Sequence, residues 1–283
     1  MSKLHELKEI LKRHNLWAKK GLGQNFLIDE KALGKIIEAA DLKKSDNVIE
    51  VGPGTGFLTE KLIEKAGRVT SVELDKNMVE ILKERFKFAE NLEVVNEDIL
   101  KFDLTERRRD SRISPSEGSS NFKVVANIPY YITSPLLKHF LQAENRPSVM
   151  VVLVQKEVAE KIVGKTGKSL ITIETQLFGR SEIVGIVPAL SFHPVPKVDS
   201  AILKIEVFNK PLIPEDQIKD FIRLVKFGFS QKRKKLSNTL SAGLHIKSSE
   251  MSEILKKADI DPNLRAENLE IGDWGRLAKV LTK

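Results

Sequence analysis

The sequence contains no cysteine. That absence removes disulfides, thiolate-held zinc and iron–sulfur clusters. Two routes go with them: radical group transfer from a Cys-bound cluster and covalent catalysis by a Cys nucleophile. Long apolar runs are also missing. The longest, Val149 to Val154, is far too short to cross a bilayer, so no membrane partner is expected. Met1 to Trp17 reads as a charged amphipathic helix with Leu4, Leu7, Ile10 and Leu11 on one side, which is no signal peptide. Glu6 and Glu9 argue against a mitochondrial presequence, and the expected location is the cytoplasm.

What is present is a chain of 283 residues, 41% hydrophobic, with a formal net charge of +8. That length suits one large domain and a smaller one. Charge is unevenly spread: residues 1–24 carry +4, residues 209–283 carry +5, and the middle sums to −1. Basic flanks around a near-neutral centre fit a polyanion held at the ends while the middle does chemistry, although a solvated surface with a basic bias gives the same totals.

From Asn47 onward, short β-branched runs alternate with helical stretches. Strands are expected at Asn47–Val51, Arg68–Glu73, Leu92–Val95, Lys123–Ala126 and Val149–Val154. Helices are expected at Phe57–Ala66, Lys76–Phe88, Ser134–Leu141 and Gln155–Val163. Such alternation predicts an α/β domain with a mostly parallel, Rossmann-like sheet covered on both faces. Ser169–Phe178 fits either a strand or a helix, since Leu170, Ile173, Leu177 and Phe178 share a helical face. Glu182–Val187 and Ala201–Phe208 read as closing strands. Asn209–Pro214 holds two prolines and reads as a linker, giving domains at 1–208 and 209–283, the second all-helical. The Ser/Arg-rich segment 105–121 reads as a surface loop.

Val48-Ile-Glu-Val-Gly-Pro-Gly-Thr-Gly56 runs a hydrophobic strand into a glycine turn. Gly52, Gly54 and Gly56 let the backbone approach a nucleoside ligand at the carboxyl end of a strand. Glu73 ends the next strand, 21 residues after Gly52, where an acid can accept both hydroxyls of a ribose. The G-x-G-x-G spacing departs from the dinucleotide fingerprint and suits a more compact cofactor with an amino-acid tail. Asp98, in Asn96-Glu-Asp-Ile99, is placed to accept from an adenine amine with Ile99 beside the ring, or simply to cap a helix.

Asn127-Ile-Pro-Tyr130 follows the fourth strand. An exocyclic amine is a poor nucleophile because its lone pair is delocalised into the ring. The Asn127 side-chain oxygen and the Ile128 carbonyl can accept its two N–H groups and favour pyramidal geometry. Pro129 fixes the turn, and Tyr130 offers a face for a base to stack on. No strong base is needed before attack, and alignment with desolvation supplies the rate.

Together, Gly23-Gln-Asn-Phe-Leu27, the glycine turn, Glu73, Asp98 and Asn127–Tyr130 resemble the ordered motifs of the ribosomal RNA adenine N6,N6-dimethyltransferase family. The resemblance implies S-adenosyl-L-methionine as cofactor, with Asn25 and Leu27 closing over its methionine end. Gly52, Glu73, Asp98 and Asn127 are the other matched cofactor positions. Phe192-His-Pro-Val-Pro-Lys-Val-Asp-Ser200 resembles the loop whose aromatic stacks on the target base opposite the tyrosine, which implies Phe192; a core phenylalanine under a proline loop is the other reading. Lys232, Arg233, Lys234 and Lys235 match a segment of the family's helical domain and would contact phosphate, or form a solvated helix face. Lys19 and Lys20 resemble a second RNA-facing patch. No metal is implied.

The ending Arg265-Ala-Glu-Asn-Leu-Glu270 and the loop Pro194–Ser200 resemble most the branch that dimethylates two adjacent adenines near the 3′ end of small-subunit (16S) ribosomal RNA. The implied partner is the pre-30S particle, met by a monomer. The alternatives are a large-subunit (23S) adenine methyltransferase of the macrolide-resistance type and a non-catalytic RNA-binding assembly factor with the same fold.

Overall fold

A computed structural model describes residues 2–16, 24–104 and 122–281. Lys19, Lys20 and the segment 105–121 lie outside the described residues. The chain divides into two compact units, one of residues 1–159 and 181–209, the other of residues 160–180 and 210–283.

The first unit is the expected Rossmann-like α/β layer structure. Its strands are β1 (Phe26–Leu27), β2 (Asn47–Val51), β3 (Arg68–Glu73), β4 (Leu92–Asn96), β5 (Phe122–Asn127), β6 (Val149–Gln155), β7 (Gly179–Val187), β8 (Phe192–His193) and β9 (Ser200–Val207). Seven of them form one sheet in the order β4-β3-β2-β5-β6-β9-β7. The pairs among β4, β3, β2, β5 and β6 are parallel, and β9 joins β6 antiparallel. β1 and β8 form a separate antiparallel pair.

Burial explains the composition of these strands. Met150 to Val154 are wholly buried, and a strand covered on both faces needs apolar side chains at every position rather than alternation. The helices on the sheet are α1 (Lys3–Arg13), α2 (Glu30–Ala40), α3 (Phe57–Lys65), α4 (Lys76–Arg85), α5 (Thr133–Leu141) and α6 (Lys156–Ile162), the last running into the second unit. Side chains fix where two of them begin. Asp29 accepts from the Lys31 and Ala32 amides at 2.9 and 3.2 Å, and Asp75 accepts from Asn77 at 3.1 Å.

Strand order places the site. The chain steps outward from β2 through β3 to β4 on one side, and from β5 to β6 on the other, so β2 and β5 flank a topological switch point. Ligands of such sheets bind outside the carboxyl ends of the strands there. Val51 lies opposite Val72 and Ala126, which brings Gly52, Glu73 and Asn127 to one edge.

The second unit is helical: α7 (Leu170–Phe178), α8 (Ile218–Gly228), α9 (Leu236–Leu244), α10 (Ser248–Lys257) and α11 (Ile271–Leu281). Trp274 is fully buried, with the Phe229 ring 5.9 Å away. Gly228 gives the indole its room, because a Cβ there would collide with the ring. This unit differs from the expected 209–283 by taking in residues 160–180. The reason is packing: α7 contacts α8 and α11, and the Leu212 amide donates to the Leu177 carbonyl at 3.0 Å. The ambiguous segment is therefore a helix. Thr172, Ile173, Thr175, Leu177 and Phe178 are buried, and Ser169 with Thr172 closes its N-terminus.

Among the described residues, no helix is long and apolar enough to cross a membrane.

Candidate active site

At the end of β2 the chain makes a turn that only glycine adopts readily. Gly52, Gly54 and Gly56 have φ of +65°, +58° and +87°. Close approach reinforces the requirement, since a Cβ at Gly56 would sit 2.5 Å from the Phe86 ring. Backbone bonds hold the turn to its neighbours: the Gly52 amide donates to the Val72 carbonyl at 3.0 Å, and the Gly56 amide to the Pro53 carbonyl at 3.0 Å.

Glu73 holds the middle of the turn. Its Oε2 accepts from the Gly54 amide at 3.1 Å and its Oε1 from the Asp75 amide at 2.9 Å. Burial raises the Glu73 carboxyl above its usual range, and these backbone bonds oppose the rise. Gln24 donates to Asp75 at 3.3 Å, tying the segment before β1 to the loop after β3.

The far wall of the cleft is the segment leaving β5. Asn127 donates through Nδ2 to the Asn25 carbonyl at 3.2 Å, which leaves Oδ1 to accept from an incoming donor. Ile128 is buried, and Pro129 leads into a single 3-10 turn from Tyr130 to Ile132. The Tyr130 hydroxyl bonds the Ser200 hydroxyl at 2.7 Å. Burial raises its phenol pKa, against the Ser200 bond. Asn25, Leu27, Gly52, Gly54, Glu73 and Asn127 through Tyr130 all line one cleft.

Three further expected residues have these surroundings. Asp98 Oδ1 accepts from the Leu100 amide at 3.0 Å within a turn, where no helix begins. Ile99 is buried. Phe192 is 1% exposed, pairs with Leu27 in the β1–β8 ladder and belongs to the hydrophobic core. The core reading therefore describes Phe192 here, since its side chain is buried within the hydrophobic core.

The cleft also contains residues that sequence reasoning missed. Tyr131 lines it and is 65% exposed, whereas Phe26 is buried with its ring 3.1 Å from where a Gly54 Cβ would stand. The adjacent tyrosines were the signal for Tyr131. Glu50, one residue before the end of β2, is fully buried. Its Oε2 accepts from Thr59 and Ser71 at 2.7 and 2.6 Å, while Oε1 has no partner. Burial pushes its carboxyl up to about 7, with those two hydroxyls opposing and the Glu73 charge adding to the rise.

In the helical unit, Lys232, Arg233, Lys234 and Lys235 are all exposed. They occupy the turn between α8 and α9, not the face of a helix. Lys235 is engaged with Asn263 at 2.8 Å.

The profile of the ribosomal RNA adenine dimethylase family matches residues 15–283. The chain belongs to this family. Similar members include the ribosomal RNA small subunit methyltransferase A of Dehalococcoides mccartyi, 43% identical over all of this chain and 94% of that one. The protein of the same name from Enterococcus faecalis is 39% identical over 98% of this chain and 94% of its own. Among solved structures, the dimethylase chain resembles a dimethyladenosine transferase from Plasmodium falciparum, with a TM-score of 0.73 and 29% identity over 88% of this chain and 94% of that one. It also resembles the 23S rRNA methyltransferase ErmE, with a TM-score of 0.71 and 30% identity over 92% of this chain and all of the other. For this dimethylase, the edge that carries Gly52, Glu73 and Asn127 is thus the candidate site of methyl transfer.

Proposed function

We propose that this protein uses S-adenosyl-L-methionine to dimethylate the N6 amines of two adjacent adenines near the 3′ end of small-subunit ribosomal RNA. It would act in the cytoplasm, as a monomer, on the pre-30S particle. The observation that carries the chemistry is Asn127, anchored through Nδ2 on Asn25 and presenting Oδ1 beside Tyr130 and Tyr131. The small-subunit address is supported by curated relatives of that name, 37–44% identical over nearly the whole chain.

The cleft fits the cofactor. Gly52 and Gly54 bring bare backbone to its wall, and Glu73 supplies a buried acid at the strand end where a ribose is received. Asn25, Leu27, Gly52, Gly54, Glu73 and Asn127 would hold it. When bound, the cofactor supplies an electrophilic methyl group on a positive sulfonium.

The remaining work falls to the protein's own groups. Asn127 Oδ1 and the Ile128 carbonyl accept the two N–H bonds of the adenine amine and turn its lone pair out of the ring plane. Tyr130 fixes the plane of the base by stacking, its ring held by Ser200. Tyr131, on the exposed side of the cleft, adds a second aromatic face for the extruded nucleotide. Lys232, Arg233 and Lys234 contact phosphate without reading sequence.

The deciding experiment is methyl transfer from labelled S-adenosylmethionine to undermethylated 30S particles, followed by mapping of the product. Two dimethylated adjacent adenines are expected. Incorporation into 23S RNA with none into 30S particles would overturn the small-subunit reading.

A further inference from the structure

We infer that Arg85 is a positioning residue of the cofactor site, and that helix α1 serves that site through Glu6. The inference rests on the reading of Gly52–Gly56 as the turn that receives the cofactor.

Thr55 is the weak point of that turn. It precedes Gly56, the N-cap of α3, and the first bond of that helix runs from the Glu60 amide to the Gly56 carbonyl. The Thr55 carbonyl therefore has no place in the helical ladder, yet the residue is 1% exposed. A buried carbonyl without a donor is costly. Arg85, the last residue of α4, supplies the donor from another element: its Nη1 reaches the Thr55 carbonyl at 2.8 Å.

The same guanidinium is itself held. Its Nη2 donates to Glu6 at 2.6 Å and to Glu60 at 3.1 Å. The rings of Phe57 and Phe86 lie 5.0 and 5.4 Å from it. Lys3 completes the cluster, at 3.1 Å from both Glu6 and Glu60 and 4.7 Å from the Phe57 ring. Burial opposes the charge on Lys3, but the bonds to Glu60 and Glu6 prevail and hold its ammonium above its ordinary value.

The guanidinium divides its donors between two nitrogens, Nη1 to the carbonyl and Nη2 to the two carboxylates, a fixed spread that the single nitrogen of a lysine reproduces only in part. The turn is thus gripped from two directions, at Gly54 by Glu73 and at Thr55 by Arg85. Helix α1 buries Leu7 and Leu11 and turns Glu6 toward that cluster. Its acid side belongs to the cofactor turn, whatever its basic residues do.

The test uses the intact protein with Arg85→Met, Arg85→Lys, Glu6→Gln and the double variant Glu6→Gln/Arg85→Met. S-adenosylhomocysteine binding is measured by calorimetry, and methyl transfer to undermethylated 30S particles by steady-state kinetics. Arg85→Met is expected to raise the Kd for S-adenosylhomocysteine and the KM for S-adenosylmethionine about tenfold, with kcat and particle affinity within about twofold. Arg85→Lys should recover part of the loss. Glu6→Gln, which changes a partly exposed side chain and spares the fold, should weaken cofactor binding about threefold, and the double variant should be no weaker than Arg85→Met alone. Wild-type Kd and KM in both Arg85→Met and Glu6→Gln would overturn the inference, as would a lowered melting temperature with unchanged Kd. Loss of particle affinity in Glu6→Gln at unchanged cofactor affinity would instead assign α1 to RNA. A wild-type protein that binds no S-adenosylhomocysteine would sink the cofactor reading itself, which separates the two failures.

Discussion

The Gly54 amide donates to Glu73 Oε2 across 3.1 Å, so the acid that ends β3 holds the turn that ends β2. The same carboxylate also takes the Asp75 amide. Glu73 therefore shapes the wall of the cleft, where the proposed function seats the ribose of the cofactor. Glu73→Ala should lower S-adenosylhomocysteine affinity by about 10- to 100-fold, the usual scale for losing bonds to a charged acceptor. Glu73→Gln keeps one acceptor oxygen and should lose less. Calorimetric titration decides, and equal affinities in all three proteins would exclude the role.

In the proposed mechanism Asn127 acts on the substrate amine. Asn127→Ala should cut single-turnover methyl transfer by at least about 100-fold, on the scale of a lost transition-state contact. Binding of S-adenosylhomocysteine should fall only about threefold, since the loss there is one neutral hydrogen bond, to Asn25. A variant that still turned over near the wild-type rate would refute the amine clamp.

Glu50 makes stability depend on pH. Its folded carboxyl is raised to about 7 by burial, above its ordinary 4.5. A raised acid binds more protons folded than unfolded between those values, so its contribution is fully present below about pH 4.5 and is lost as pH rises to about 7. Glu50→Gln should flatten the dependence of melting temperature on pH in that window. The change should be at most roughly 3 kcal/mol across it. An unchanged slope would show that Glu50 is ionised throughout.

In the helical unit, Gly228→Ala forces a methyl group against the buried Trp274 ring. Destabilisation of about 1–3 kcal/mol is expected from overpacking, read by chemical denaturation. Gly272→Ala, also in a helix, meets no atom within 4 Å and is the control, expected to leave the midpoint unchanged or to raise stability by up to about 1 kcal/mol of helix propensity.

Local pattern carried most of the fold. The β-branched runs from Asn47 to Gln155 appear as strands within a residue or two of their expected ends, because strands of a parallel sheet covered by helices favour such runs, most fully in β6. Segment 169–178 was undecidable locally, since its β-branched residues suit a strand and its spacing suits a helix. Packing with α8 and α11 made it a helix and drew residues 160–180 into the second unit. That Asn127–Tyr130 would line the cleft was legible because the four residues are consecutive and leave a strand end together. Phe192 was not, because its exposure depends on a strand pair with Leu27, far away in the chain.

The sequence by itself determined the Gly54 turn, Glu73 and the Asn127 segment, since left-handed backbone, a strand-end acid and an Asn-x-Pro-Tyr turn are short-range requirements. Tertiary structure alone decided that Glu73 and Gly54 bind one another, that Asp98 accepts from Leu100 within a turn and that Phe192 pairs with Leu27 of β1. It alone brought Arg85 to the Thr55 carbonyl and to Glu6, 30 and 79 positions away in sequence. The physical reason is the same in each case. Periodicity and local motifs report which face of an element is buried, whereas hydrogen bonds between elements depend on strand order and helix packing, which no single stretch of sequence contains.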